Sequence, residues 1–270
     1  MLYTLNGMDE LTNIRSFTDL LKDTYSFNQR DYDQHSGWGV LLNIYNQNYI
    51  FGNKEEVNIP KKIHQIWLGS PVPERYNEWR ESWKKFNPDW EYRLWTDADL
   101  TESEIHIKNW TLFNSITNMG QKSDYLRYHI LNQFGGLYVD TDYECLKSFD
   151  ELRYAKFLAG ISYDPKPIVN IAILGSVPGH PILQGVLRTM VVRPGDSSKN
   201  VLSTTGPYFF TKSFFETVGD YMEGVVVLPP QYLYPFPNEL GFKTRNGRNY
   251  IKDYSYAIHY WDVSWIKVKK

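Results

Sequence analysis

Between Ser123 and Asp142 the chain switches from one periodicity to another within a few residues, and this confines the fold more than any other stretch. Leu126, Ile130 and Phe134 recur at i, i+4 spacing, which predicts a helix over Ser123–Phe134. Gly135-Gly136 then stops it, because glycine accepts the positive φ on which helices commonly end. The chain passes directly into Leu137-Tyr-Val-Asp-Thr-Asp142, whose composition predicts a strand. The same alternation recurs elsewhere. Lys62–Gly69 reads as a buried strand feeding a Gly-Ser-Pro loop, Pro73–Lys85 as a helix carrying Tyr76, Trp79 and Trp83, and Tyr92–Trp95 as another strand. Ile168–Gly175 and Val225–Leu228 add candidate strands, and Pro229-Pro230, Pro235 and Pro237 predict an irregular loop. Strands alternating with helices predict a layered α/β domain, and 270 residues suffice for one sizeable domain of that kind or two small ones.

Upstream, Leu11, Ile14, Phe17, Leu20, Leu21 and Tyr25 predict an amphipathic helix over Asp9–Phe27. The polar stretch Asn46–Pro60 suggests a boundary, giving a helical N-terminal extension over 1–58 and a main domain over 59–270. Acidic residues at Asp9 and Glu10 do not suit a secretory signal, and no apolar run approaches the roughly 18 residues of a membrane span. The expectation is therefore a soluble, cytoplasmic protein. The mixed polar face of the first helix leaves peripheral membrane association open. A single cysteine, Cys145, excludes an intramolecular disulfide framework and a multi-cysteine zinc site. A net charge of −2 supplies no broad positive field, which argues against nucleic acid as a partner.

In an extended strand alternate side chains share a face, so Tyr138, Asp140 and Asp142 are expected on one side. Two carboxylates roughly 6–7 Å apart at Cα repel each other unless a cation lies between them or they ionise unequally. Oxygen ligands of this kind suit Mg²⁺ or Mn²⁺. Without a cation the same pair would be solvent-facing loop carboxylates, but the end of an apolar strand in an α/β domain is where ligands generally bind. On the preceding helix Asp124 and Arg127 form an i, i+3 pair away from the apolar stripe. They are either a surface ion pair or part of the same pocket.

The ordered set Ile63-His-Gln-Ile-Trp67, Asn87-Pro-x-Trp90, Leu94-Trp95-Thr96-Asp97, Ser123-Asp-x-x-Arg127-Tyr, Gly135-Gly-x-Tyr-x-Asp-x-Asp142 and His259-x-x-x-x-Ser264-Trp265 resembles glycosyltransferase family 32. That DXD-containing family includes yeast initiation mannosyltransferase-like enzymes and bacterial capsular polysaccharide sugar transferases, with the clostridial glucosylating toxins as distant relatives. The resemblance covers residues 59–270. It implies a GT-A fold, a UDP- or GDP-linked sugar donor, a glycan or lipid-linked acceptor, and transfer with retention of anomeric configuration. Carried over by position, Trp67 with Ile66 would meet the donor base, and Asp124 and Arg127 the donor sugar's hydroxyls. Tyr138 would sit beside the ribose and phosphates, Asp140 at the ribose and the metal, and Asp142 on the metal directly. His259 would be a further metal ligand, tilting the choice towards Mn²⁺, or else an ordinary strand histidine. Ser264 and Trp265 match the segment that completes the diphosphate site, and Asn170 and Thr205-Gly206-Pro207 match positions near the donor sugar or acceptor, where packing and turn roles compete. In this scheme Asp140, Asp142 and Arg127 form the catalytic set, the cation and the arginine meeting the charge of the departing diphosphate.

Two other functions are compatible with parts of this pattern. A phosphohydrolase with an aspartate nucleophile also carries D-x-D at a strand end, but places Thr or Val where Glu144 stands here. A catalytically silent protein binding carbohydrate or nucleotide sugar would keep the fold, although the intact Asp140/Asp142 pair argues against decay.

Overall fold

The computed structural model describes residues 15–24, 27–50, 54–101, 104–163, 166–192, 201–238 and 246–262. Its strands are β1 (Lys62–Ile66), β2 (Glu91–Trp95), β3 (Gly136–Val139), β4 (Tyr143–Cys145), β5 (Phe157–Tyr163), β6 (Pro167–Ser176), β7 (Val225–Leu228) and β8 (Ala257–His259). Its α-helices are α1 (Phe17–Lys22), α2 (Gln29–Gln34), α3 (Gly37–Ile44), α4 (Asn77–Phe86), α5 (Trp110–Ser115), α6 (Met119–Phe134), α7 (Pro181–Thr189), α8 (Val201–Thr204), α9 (Pro207–Val218) and α10 (Pro230–Leu233). Six strands form one sheet in the order β2-β1-β3-β6-β5-β7. β1 is parallel to β2 and β3, β6 is antiparallel to β3 and β5, and β7 is parallel to β5. All but β6 therefore run the same way, a mostly parallel sheet that fits the layered α/β domain the sequence predicts.

The α6–β3 junction works as expected, with helix α6 starting earlier than its apolar stripe indicates. Asn118 caps it, its side chain accepting from Gln121 N–H. Gly135 and Gly136 have φ of 62° and 93°. A Cβ on Gly136 would lie 2.6 Å from the Lys62 carbonyl oxygen and one on Gly135 2.8 Å from the Ser176 carbonyl oxygen, so the turn fits between β1 and the end of β6 only because both residues lack side chains. Buried residues of the N-terminal region, among them Phe17, Leu20, Trp38, Leu41 and Tyr45, belong to the same core as Ile63, Leu126, Leu137 and Val139.

Three expectations need correction. The helix predicted over Asp9–Phe27 is described only over Phe17–Lys22, because Ser16 caps its start and Asp23–Thr24 turn the chain away, the Thr24 hydroxyl bonding the Leu21 carbonyl. Its part before residue 15, and Tyr25 and Ser26, lie outside the described residues. The predicted strand over Leu137–Asp142 ends at Val139, and Asp142 sits in a turn closed by Tyr143 N–H to the Asp140 carbonyl at 3.3 Å. The irregular loop expected at Pro229-Pro230 is the short helix α10, which proline starts readily because the first turn has no use for its missing N–H. Among the described residues no helix is long and apolar enough to cross a membrane.

Candidate active site

The turn after β3 leads straight into β4, and β4 pairs antiparallel with β8 in the register Tyr143↔His259. That register places His259 beside the residue before Tyr143. The His259 Nε2 lies 3.1 Å from Asp142 Oδ1, and the two rings of Tyr143 and His259 stack at 4.6 Å and 6°. One potential ligand atom each from Asp140, Asp142 and His259 falls within 4.8 Å of the others. The convergence thus comes from a turn and a distant strand rather than from strand alternation.

A second group backs onto this cluster. Arg127 on α6 reaches Asp124 Oδ1 at 2.7 Å through Nη2, and Asp140 Oδ1 at 3.1 Å through Nη1. The pair is buried, and Arg127 bridges Asp124 to Asp140. Arg127 Nη1 also donates to the Ile171 carbonyl at 2.9 Å, and its guanidinium carbon lies 4.4 Å from the centre of the Tyr138 ring. The Tyr138 hydroxyl donates to Asp140 Oδ1 at 2.6 Å, and Thr205 Oγ1 donates to Asp124 Oδ2 at 3.0 Å. The Nε–H of Arg127 is buried without a partner. Side-chain exposure is 5% for Arg127 and 8% for Asp124 but 28% for Asp140, so the group opens to solvent at Asp140.

The Ile171 carbonyl is available because β6 bulges. The β5–β6 register runs Gly160↔Asn170 and then Ala159↔Leu174, leaving Ile171 to Ile173 outside the ladder. Asn170 holds the bulge, its Oδ1 accepting from Ile171 N–H at 2.7 Å and Ala172 N–H at 3.1 Å while its amide nitrogen donates to Ser162. The Ala172 carbonyl in turn accepts Asp140 N–H at 2.8 Å. Asn170 therefore shapes the wall that receives Arg127 and Asp140. The bulge left no signal in the sequence pattern, since β6 is buried throughout and shows no alternation to be interrupted.

Electrostatics follow from two carboxyl groups, Asp124 and Asp140, sharing one buried guanidinium, with Asp142 next to Asp140. Burial raises the Asp124 carboxyl from 3.8 to about 6, opposed by Arg127 and assisted by Asp140. Burial likewise raises Asp140, with Arg127 pulling it back and Asp142 pushing it further up. The donor set fits a divalent cation: two carboxylates and an imidazole converge, and His259 Nδ1 is buried with no partner.

Trp67 follows β1 and is half-buried, with its indole N–H on Ser70 Oγ at 3.1 Å and its ring 5.1 Å from that of Tyr76. Ile66 is buried at the strand end beside it. Ser264 and Trp265 lie outside the described residues. Sequence reasoning missed Arg75, Tyr76 and Asp262. The Asp262 N–H donates to Asp142 Oδ2 at 2.7 Å, and the Asp262 carboxylate accepts from Tyr76 Oη at 2.8 Å and Arg75 Nε at 3.0 Å. Burial and Asp262 raise the Tyr76 hydroxyl to about 12, which keeps it a donor.

Residues 73–158 match the family model for the glycosyltransferase sugar-binding region containing a DXD motif. Among curated proteins the chain is 32% identical over 174 residues to inositol phosphoceramide mannosyltransferase 3 of Schizosaccharomyces pombe, covering 62% of this chain and 48% of that protein. It is also 32% identical over 161 residues to mannosyl phosphorylinositol ceramide synthase SUR1 of Saccharomyces cerevisiae, covering 57% and 41%. The chain thus spans less than half the length of these relatives. Among solved structures it resembles the PaToxG glycosyltransferase with a TM-score of 0.48 and 22% identity, over 70% of this chain and 80% of that one.

Proposed function

We propose that the chain, whose residues 73–158 match the glycosyltransferase sugar-binding region containing a DXD motif, moves a sugar from a UDP- or GDP-linked donor to an acceptor hydroxyl, in a GT-A-type site that holds Mn²⁺ or Mg²⁺. The observation that carries this is the Asp140–Asp142–His259 cluster standing directly against the buried Asp124–Arg127 pair. When bound, the cation would neutralise the diphosphate of the donor and of the leaving group.

The chain's own residues would do the rest. Asp140, Asp142 and His259 are the residues to hold the cation. The unpartnered Nε–H of Arg127 suits a hydroxyl or phosphate oxygen of the donor. The contacts of Arg127 to Asp124, Asp140 and Ile171 hold its guanidinium before any ligand arrives, which is the preorganisation that electrostatic catalysis needs. Trp67 supplies an aromatic face for the nucleotide base. Retention of anomeric configuration is the outcome that the family resemblance favours. The names of the yeast relatives make mannose the first sugar, and an inositol phosphoceramide the first lipid-linked acceptor, to be tried.

The test is a thermal-shift and turnover series with UDP, GDP and their sugars, with and without Mn²⁺, on the parent and on Asp142→Asn. A nucleotide should raise the melting temperature only when Mn²⁺ is present. Asp142→Asn should lose that increment together with sugar release or transfer, while its unliganded melting temperature stays close to the parent's. Stabilisation by nucleotide that ignores both the cation and the substitution would remove the cation site from the proposal.

A further inference from the structure

Asp142 is oriented by groups that are not themselves candidate ligands. Its Oδ2 accepts the Asp262 N–H at 2.7 Å and its carbonyl accepts the Tyr260 N–H at 3.0 Å. Between those two donors lies Trp261 with φ of 56°, a left-handed conformation that a bulky residue keeps only where its surroundings over-determine it. Those surroundings are visible on every side of the turn. The Trp261 indole N–H donates to the Phe236 carbonyl at 2.7 Å, and its ring lies 4.1 Å from that of His259. Tyr260 stacks on Trp79 at 4.5 Å and 9°, with its hydroxyl on Glu144 Oε2 at 2.6 Å. The Asp262 carboxylate is held by Tyr76 and Arg75, and Arg75 Nη2 also donates to the Tyr76 oxygen at 2.9 Å.

We infer that Arg75 and Tyr76 are positioning residues: by holding the Asp262 carboxylate they keep the strained 260–262 turn in the form that presents the Asp262 N–H to Asp142, and so tie the Trp67 platform to the cation site. The inference rests on the cation reading proposed above. Groups that orient metal ligands from behind govern affinity nearly as much as the ligands do. Global stability is a poor explanation for this clamp, because side-chain exposure of 55% for Arg75 and 37% for Asp262 leaves their ion pair worth little. Tyr76 touches both ends of the path, with its ring 5.1 Å from Trp67 and its hydroxyl on Asp262. A nucleotide seated on Trp67 and a cation held at Asp142 are therefore coupled through Tyr76, and such coupling is reciprocal.

The test is Mn²⁺ titration of the full chain by calorimetry, alone and with UDP or GDP, for the parent, Tyr76→Phe, Asp262→Ala, Asp262→Asn and Asp142→Asn. Tyr76→Phe keeps the ring and removes only the hydroxyl, and Asp262→Asn keeps an oxygen to accept from Tyr76. Tyr76→Phe and Asp262→Ala should weaken Mn²⁺ binding by about tenfold and reduce the effect of nucleotide on it, with little change in melting temperature. Asp262→Asn should restore most of the affinity. Parent-like Mn²⁺ affinity in both Tyr76→Phe and Asp262→Ala, with Asp142→Asn still defective, would overturn the positioning role and leave the cation site standing. A parent that binds no Mn²⁺ in any condition would overturn both. Should Asp262→Ala not fold, Tyr76→Phe decides the matter alone.

Discussion

Replacing Arg127 with methionine should destabilise the protein in a way that acid partly reverses. The guanidinium is the cation shared by Asp124 and Asp140 at 2.7 and 3.1 Å, and methionine keeps much of the stem's volume while removing the charge. Each attraction is worth about 4 kcal/mol at an effective dielectric near 20 and a charge separation near 4 Å. The unfolded arginine recovers its hydration, so the net cost should fall at about 3–5 kcal/mol, the range for removing one partner of a buried pair. Two carboxylates then remain with one hydroxyl donor each, Thr205 on Asp124 and Tyr138 on Asp140. Asp124 is already raised from 3.8 to about 6 with Arg127 opposing the rise, so without Arg127 it should climb further. An acid whose folded value exceeds its unfolded value binds extra protons when folded. Its contribution is therefore fully present below the unfolded value and lost as pH rises through the folded one. The deficit of Arg127→Met relative to the parent should thus be largest near pH 7.5 and shrink towards pH 5.5. Urea unfolding followed by tryptophan fluorescence at both pH values measures this. A deficit below about 1 kcal/mol at the higher pH, or one that does not shrink on acidification, would refute the argument.

Three further outcomes are expected. The buried His64 accepts from the Trp95 indole N–H at Nδ1 and faces the Gly135 carbonyl through Nε2, and burial lowers it from 6.5 to about 4. A base depressed in this way costs stability as pH falls from the unfolded to the folded value, so the parent should lose about 2 kcal/mol to His64 protonation between pH 7 and 5; a stability gap to His64→Gln that stays constant over that range would contradict it. Trp67→Ala should weaken nucleotide binding by about 1–3 kcal/mol if the ring stacks on the base, and unchanged affinity in calorimetry rules that role out. Gly136→Ala should cost more than about 3 kcal/mol, because φ is 93° and the new Cβ would sit 2.6 Å from the Lys62 carbonyl oxygen; a parent-like melting temperature would show that the turn can give way.

Local pattern carried the elements whose residues decide their own conformation. Leu126, Ile130 and Phe134 marked α6, the Gly135-Gly136 pair marked its end, and the D-x-D supplied two of the three residues of the Asp140–Asp142–His259 cluster. What stayed hidden was set by long-range partners. Asp142 owes its direction to a turn and to the N–H of Asp262, 120 positions away, and no spacing rule connects them. For Asn170 the pattern left a place near the donor sugar or acceptor and a packing role both open, and the bulge that its side chain holds through two backbone N–H groups lies within a uniformly buried strand that gives no sign of it. Asp124 and Arg127 were visible as an i, i+3 pair, but helical spacing is silent on burial, and it is the Thr205 and Ile171 contacts that enclose them.

The antiparallel pairing of β4 with β8 also bears on when the protein can act during its own synthesis. Until β8 has emerged from the ribosome the six-stranded sheet can form, but β4 has no strand to pair with and neither His259 nor the Asp262 N–H is there for Asp142. Asp142 then lacks both the His259 imidazole and the 260–262 turn that aim it. Long-range pairings of this kind form late because the intervening chain must first be ordered. The Asp140–Asp142–His259 cluster is therefore completed only when β8 pairs with β4.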